Sequence, residues 1–308
     1  MSIVLIAGGT GLIGTQLSKL LSEQGFEVRQ LSRNPSPDAL YPTYAWDVDK
    51  GTIDTKALEN VDYIINLAGA GIADKPWTQV RKRLIIDSRV KSNQLLKRQI
   101  LAMPQKPKAF VSSAAVGYYG DNPSEQWVNE EAAPGKGFLP ESCIAWEASI
   151  RSLNETGLRV VGLRVGIVLS TKGGALPKLL EPMKFGTAPY FGSGKTWYPW
   201  IHIDDLCRMF MFALKDEDMQ GFFNAVAPNP TRNLELIKTA SKIFAPRAIN
   251  IPAPTFALRL VLGELADAIL TGVRASSAKI QKEGFDFDYS QLDGALQNLK
   301  ATKDTMAK

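Results

Sequence analysis

Apolar positions along this chain fall into two rhythms. Ser2–Ala7 is a short apolar run stopped by Gly8-Gly9, too short for a helix, and it predicts a strand. Leu12, Leu17, Leu20 and Leu21 then recur at near-helical spacing until Gly25 ends the pattern. Phe26–Leu31 predicts a second strand, Tyr44–Asp47 a shorter third, and Val61–Leu67 a fourth closed by Ala68-Gly69. Thr78 to Leu101 reads as one long helix, broken by Pro104 and Pro107. Ala109–Ala115 is a fifth strand, Glu141–Thr156 a helix ended by Gly157, and Leu158–Leu163 a sixth strand. Strands alternating with helices on this scale predict an α/β fold, a Rossmann-type doubly wound parallel sheet.

The rhythm changes after Arg164. Gly and Pro crowd the stretch Gly173 to Pro199, which reads as loop-rich. Asp204 or Asp205 is placed to cap a helix running to Leu214, and Gly221–Ala225 is a late strand. Helical spacing returns at Leu234–Phe244 and Ala257–Leu270. The expected organisation is a nucleotide-binding domain over 1–166, completed by 200–226. Residues 167–199 and 227–308 form a smaller, mainly helical C-terminal lobe expected to bind substrate. The chain has no internal repeat and no low-complexity linker.

Composition narrows the chemistry. The chain has 308 residues, with 36 Lys+Arg against 31 Asp+Glu, a net charge of only +5, so a nucleic-acid partner is not expected. Two cysteines, Cys143 and Cys207, cannot build a disulfide framework, and with one histidine they cannot build a structural zinc centre. A reduced, cytoplasmic setting is the expectation. Met1–Leu5 lacks a basic leader. Ala257–Leu270 carries Arg259, Glu264 and Asp267, so no membrane partner is expected either.

The turn Gly8-Gly9-Thr10-Gly11-Leu12-Ile13-Gly14 lies between the first strand and the first helix. Glycines at 8, 11 and 14 let the backbone turn tightly and approach a pyrophosphate, and the helix amino terminus supplies N–H groups and a positive dipole end. Gly8, Thr10, Gly11, Leu12, Ile13 and Gly14 are therefore candidate cofactor contacts. At the end of the second strand an acidic residue would select NAD through the ribose hydroxyls. The chain has Leu31-Ser32-Arg33-Asn34 there instead, so Ser32 and Arg33 point to the 2′-phosphate of NADP(H). Leu67, Ala68 and Gly69 at the fourth strand end, and Ser112 on the fifth, are further candidates. Arg164 and Arg89 are candidates for an anionic substrate or a cofactor phosphate, or for structural ion pairs.

With these residues the chain resembles the extended short-chain dehydrogenase/reductase superfamily, the NAD(P)-dependent epimerases and dehydratases. The order of glycine turn, Asn66–Gly69, Ser112-Ser113 and Trp200-Ile201-His202-Ile203-Asp204-Asp205 carries that likeness. Gly117-Tyr118-Tyr119-Gly120, Trp146-Glu147 and Leu163–Leu169 are similar to an epimerase-family, sugar-nucleotide-epimerase-like subfamily. So is a C-terminal segment of unassigned function through Pro252, Arg259, Gly263-Glu264, Lys279 and Gly284-Phe285. The resemblance implies a Rossmann fold, NADP(H) and a small-molecule substrate, possible classes being a nucleotide sugar or another anionic compound. It implies a monomer or a homodimer, with Thr78–Leu101 and the Cys143 helix as candidate dimer elements.

The resemblance also implies a catalytic Tyr followed four residues later by Lys, the Lys lowering the Tyr pKa and the Tyr moving a proton. No tyrosine here meets a lysine at that spacing: Tyr118 meets Asn122, Tyr119 meets Pro123, and the corresponding helix reads Glu141-Ser142-Cys143-Ile144-Ala145-Trp146-Glu147. The substitute candidates are Ser113, Tyr119, Cys143, Glu147 and His202, with Tyr118 beside Tyr119. Each has a structural alternative: a small core residue for Cys143, a salt bridge for Glu147, a helix cap for His202. Two functions remain open, an epimerase-like oxidoreductase with a non-standard acid and a catalytically silent redox sensor. Some relatives of the subfamily carry a cell-division label, an analogy only.

Overall fold

A computed structural model describes residues 1–306 of the chain. The first half runs β1 (Ile3–Ala7), α1 (Leu12–Glu23), β2 (Glu27–Ser32), β3 (Thr43–Asp47), β4 (Thr52–Ile53), β5 (Tyr63–Asn66), α2 (Gln79–Ala102), β6 (Ala109–Ala115), α3 (Phe138–Arg151) and β7 (Arg159–Val165). Next come β8 (Ile167–Leu169), α4 (Ala175–Leu180), β9 (Thr187–Phe191), β10 (Trp197–Tyr198), β11 (Trp200–His202), α5 (Ile203–Lys215) and β12 (Gly221–Ala225). The chain continues with β13 (Thr231–Arg232), α6 (Asn233–Phe244), β14 (Ile249–Ala253), α7 (Thr255–Leu262), α8 (Leu265–Leu270), α9 (Ala278–Lys282) and α10 (Leu292–Met306).

Two compact units emerge. The first comprises Met1–Ala114, Glu141–Leu163 and Cys207–Phe223; the second comprises Ala115–Pro140, Arg164–Leu206 and the chain from Asn224 onward. The eight-stranded sheet has the order β12-β7-β6-β5-β1-β2-β3-β4. Pairings from β6 through β5, β1 and β2 to β3 are parallel, and β4 turns back antiparallel. Val4–Ala7 of β1 are all fully buried. Only a strand covered on both faces can carry such a run, which is why β1 reads as continuous rather than alternating. Leu17 and Leu21 of α1, and Ile85, Leu95, Leu96 and Ile100 of α2, are the buried stripes of its helices. Thr78 starts α2 by accepting from the Arg81 amide at 3.1 Å.

The sheet reverses direction at β1. The chain steps from β1 out to β2 and β3, then returns to place β5 on the other side of β1. The carboxyl ends of β1 and β5 thus form the switch point where α/β sheets bind ligands.

In the second unit, Tyr119, Val128, Val226, Val273 and Ala275 make one apolar cluster, β8 pairs with β11 and β9 with β14, and α6 packs on α10. The C-terminal region from α6 on is mainly helical. The loop-rich stretch Gly173–Pro199 also holds α4, β9 and β10, elements of two to six residues with too little length to show a period. Two local expectations need correction. Ala257–Leu270 is two helices, because Gly263 at φ +58 ends α7. Asp204 and Asp205 lie inside the first turn of α5, and it is His202 Nδ1 that accepts from the Asp204 amide, at 3.1 Å.

Candidate functional site

The glycine turn folds as its residues dictate. Gly8 sits at φ +76, and a Cβ there would come within 3.0 Å of the Ala68 nitrogen and the Leu67 carbonyl carbon at the end of β5. A Cβ on Gly14 would stand 2.4 Å from the Gly8 oxygen and 2.6 Å from the Gly9 Cα. Side chains at these positions would therefore fill the cradle or push α1 off the turn. Gln30 of β2 braces the turn from below: its amide donates to the Gly9 carbonyl at 3.1 Å and to Ser18 Oγ at 2.8 Å. No side chain caps α1 and its first turn holds no acid, so the positive end of the helix stays open to an anion. Thr10 is exposed, and Leu12 and Ile13 are half-buried.

At the end of β2, Ser32 Oγ closes a small turn with Asn34, accepting its amide at 3.2 Å. Arg33 occupies the turn's apex. Its side chain is exposed and makes no hydrogen bond or ion pair with the described residues. At the end of β5, Asn66 is buried and its amide donates to Asn93 Oδ1 at 2.7 Å and Ser92 Oγ at 2.9 Å, while its own Oδ1 accepts from the Ala68 amide at 3.0 Å. Asn93 in turn donates to Ser149 Oγ on α3 at 2.8 Å. This network fixes the backbone of Leu67, Ala68 and Gly69. Ser112 and Ser113 both point hydroxyls at the Asn66 carbonyl, at 3.4 and 3.3 Å.

Cys143 and Glu147 lie on α3, four residues apart and both buried. Arg151 reaches Glu147 Oε2 at 3.4 Å, the ion pair foreseen as its structural alternative. No disulfide joins Cys143 to Cys207. Arg89 of α2 stacks over the Trp146 ring, 4.8 Å from its centroid. Burial lowers the Arg89 pKa from the usual guanidinium value, and neighbouring Cys143 opposes that shift.

The second unit holds the other candidates. Arg164 is 1% exposed. Its Nη1 donates to the Tyr119 hydroxyl at 2.8 Å and to the Glu130 carbonyl at 3.1 Å. The Tyr119 hydroxyl passes its own hydrogen to Asn224 Oδ1 at 2.7 Å. Asn224 is fixed from both sides, its amide nitrogen donating to Glu130 Oε1 and its side chain to the Ser276 carbonyl. Burial pushes the Tyr119 hydroxyl up to about 12, although the Arg164 charge pulls the other way. Tyr118 differs: it is half-buried, the Arg164 guanidinium lies 4.0 Å from its ring centroid, and its hydroxyl has no hydrogen-bond partner among the described residues. His202 is fully buried, stacked on Tyr289 at 3.8 Å. Burial lowers its pKa while Asp204 and Asp205 raise it. Asp205 accepts the amides of Asp288 and Tyr289 at 3.0 and 2.9 Å, so the Trp200–Asp205 segment clasps the chain near 288–289.

The structure thus brings the Gly8–Gly14 and Leu67–Gly69 backbones together, and joins Tyr119 to Arg164. It pairs Glu147 with Arg151 and His202 with Tyr289. Sequence reasoning missed Asn93, Ser149, Glu130 and Asn224, which act only through partners distant along the chain.

Comparison with known proteins follows the same lines. The model for the "NAD dependent epimerase/dehydratase family" matches residues 4–225, and that for a "Domain of unknown function (DUF1731)" matches residues 253–299. The chain is 33% identical over 304 residues to the epimerase family protein YfhF of Bacillus subtilis, covering 98% of this chain and 99% of that one. It is 32% identical over 300 residues to an epimerase family protein of Mycobacterium tuberculosis, covering 96% of each. The crystal structure of the human epimerase family protein SDR39U1 with NADPH superposes with a TM-score of 0.87 at 32% identity, covering 96% of this chain and 98% of that one. The UDP-glucose 4-epimerase of Thermotoga maritima shares the fold, with a TM-score of 0.78 at 19% identity and 99% coverage of each.

Proposed function

The chain belongs to the NAD dependent epimerase/dehydratase family, and from that premise we propose that it is an NADP(H)-dependent, epimerase-like oxidoreductase acting on a small molecule without a Tyr–Lys pair. Arg33 carries the cofactor part of this reading: a guanidinium without a partner among the described residues, at the strand end where an acid would select NAD. The residues present fit a dinucleotide diphosphate. Gly8 and Gly14 leave a cradle that a Cβ would fill, and α1 opens uncapped beside it. Support comes also from the human relative crystallised with NADPH.

When bound, NADP(H) supplies a hydride donor or acceptor. The chain's own residues must then position the substrate and move a proton. Of the two adjacent tyrosines, Tyr119 has its hydrogen committed to Asn224, so Tyr118 is the one left to exchange a proton with substrate. A nucleotide sugar is one substrate class consistent with the family.

Fluorescence titration tests the reading. NADPH is expected to bind the wild type, and Arg33→Ala to weaken it more than about tenfold while NADH affinity stays within about twofold. Equal loss for both nucleotides would remove Arg33 as the phosphate reader. The engagement of Tyr119, Glu147 and His202 within the protein favours a second reading, a silent redox sensor. A sensor is expected to show different amide exchange with NADPH and NADP⁺; identical exchange patterns would leave only the enzyme.

A further inference from the structure

Arg89 is a partly buried cation of the first unit whose protein partners engage only one of its three nitrogens. Its Nη1 is held by two carbonyls, donating to Ala70 at 3.0 Å and Ile85 at 2.9 Å, so the guanidinium plane is fixed. Trp146 backs one face of that plane. No carboxylate of the described residues pairs with it, and the remaining N–H groups on Nε and Nη2 have no protein acceptor. Those two N–H bonds are parallel and form the guanidinium edge that meets both oxygens of a carboxylate or phosphate. A desolvated cation with a fixed fork and no carboxylate partner costs stability unless an anion joins it.

The neighbours keep that edge accessible. A Cβ on Gly69 would come within 3.0 Å of the Arg89 Cζ and 3.2 Å of its Nε, so any other residue at 69 would crowd the fork. Trp146 adds an independent sign: its indole N–H is buried and lacks an acceptor. A donor left so in a folded protein marks a missing partner. The site lies at the end of β5, at the switch point of the sheet.

We propose that the Nε–Nη2 edge of Arg89, backed by Trp146 and kept open by Gly69, is the subsite for the oxyanion of an anionic substrate. The inference rests on the oxidoreductase reading above for the word substrate. On that reading the cofactor's phosphates find their donors at Arg33 and the glycine turn, so this anion belongs to a second molecule. Its group is a carboxylate or a phosphate.

Two probes separate those sources. In NADP-saturated wild type, malonate or inorganic phosphate is expected to slow phenylglyoxal modification of Arg89, mapped by mass spectrometry, about tenfold against chloride at equal ionic strength. The better protector identifies the group. If neither protects better than chloride, the proposal is overturned, and this arm needs no variant to fold. Calorimetric titration of the better anion is expected to weaken about tenfold in Arg89→Lys, which keeps charge but loses the fork; undiminished binding by the lysine variant overturns it. NADPH affinity is expected to stay within about threefold in Arg89→Gln. A loss of tenfold or more makes Arg89 a cofactor ligand and also overturns the proposal. Failure of the oxidoreductase reading looks different: wild type would bind no NADPH, while anion protection at Arg89, measured without nucleotide, would persist.

Discussion

The two polar clusters of this protein use the same residue types in opposite ways. Around the glycine turn and the ends of β2 and β5, polar groups fix the backbone and leave donors pointing away from protein. Gln30 and Asn66 brace the turn and the strand end, yet α1 has no side-chain cap and Arg33 has no partner among the described residues. Around Arg164 the reverse holds. Its guanidinium meets Tyr119 and Glu130, Tyr119 meets Asn224, and Asn224 meets Glu130 and Ser276. A tyrosine read as a catalytic candidate and an arginine read as an anion-binding one are there a closed polar network in the second unit's core. Unsatisfied donors, more than residue identity, separate a binding surface from a structural one.

The contrast predicts where substitution should strike stability and where it should strike binding. Arg164→Met removes the hydrogen bonds to Tyr119 and Glu130 from a fully buried guanidinium's site, leaving the Glu130 carbonyl and the Tyr119 oxygen without that donor. We expect it to cost about 3–4 kcal/mol in urea denaturation. A cost below about 1 kcal/mol would mean the network is loose and Arg164 available for a ligand. Gly14→Ala should act on the other cluster. Its new Cβ meets backbone of Gly8 and Gly9, which cannot swing aside as a side chain can. NADPH affinity is expected to fall about a hundredfold, with a stability loss of about 2 kcal/mol as α1 shifts. Unchanged affinity in the titration would show that the turn does not hold the nucleotide.

Legibility in the sequence follows the same division. β1, β2, β5, β6 and β7 were readable because buried parallel strands leave apolar runs bounded by glycine. The glycine turn was readable because turn chemistry is local. The strands β4, β8, β10, β11 and β13 have two or three residues and carry no period. Helix α10 did have a signal: Leu292, Ala295, Leu296 and Leu299 are buried at helical spacing. The Tyr119 network was beyond reach, because its partners Arg164 and Asn224 stand 45 and 105 residues away. Nothing in the local pattern around Tyr118-Tyr119 says which hydroxyl the fold will enclose.

The smallest effect tests that enclosure directly. Tyr119→Phe deletes one hydroxyl and leaves Arg164 Nη1 with the Glu130 carbonyl and Asn224 Oδ1 without its donor. We expect a loss of about 1–2 kcal/mol at neutral pH. The pH dependence is the sharper readout. The folded Tyr119 hydroxyl holds its proton to about 12, against an ordinary value of 10.0. Between those values the unfolded chain releases a proton that the native state keeps, so the unfolded state binds fewer protons and stability falls as pH rises. The stabilising contribution is whole below pH 10 and lost through about 12. Buried Tyr198 adds a loss of the same sign, so the wild-type curve will slope for more than one reason. Tyr119→Phe should flatten that slope, measured as urea unfolding free energy across the alkaline range, while the curve below pH 9 keeps its shape. A slope equal to wild type would mean that Tyr119 reaches solvent, and that the two clusters are less different than their hydrogen bonds imply.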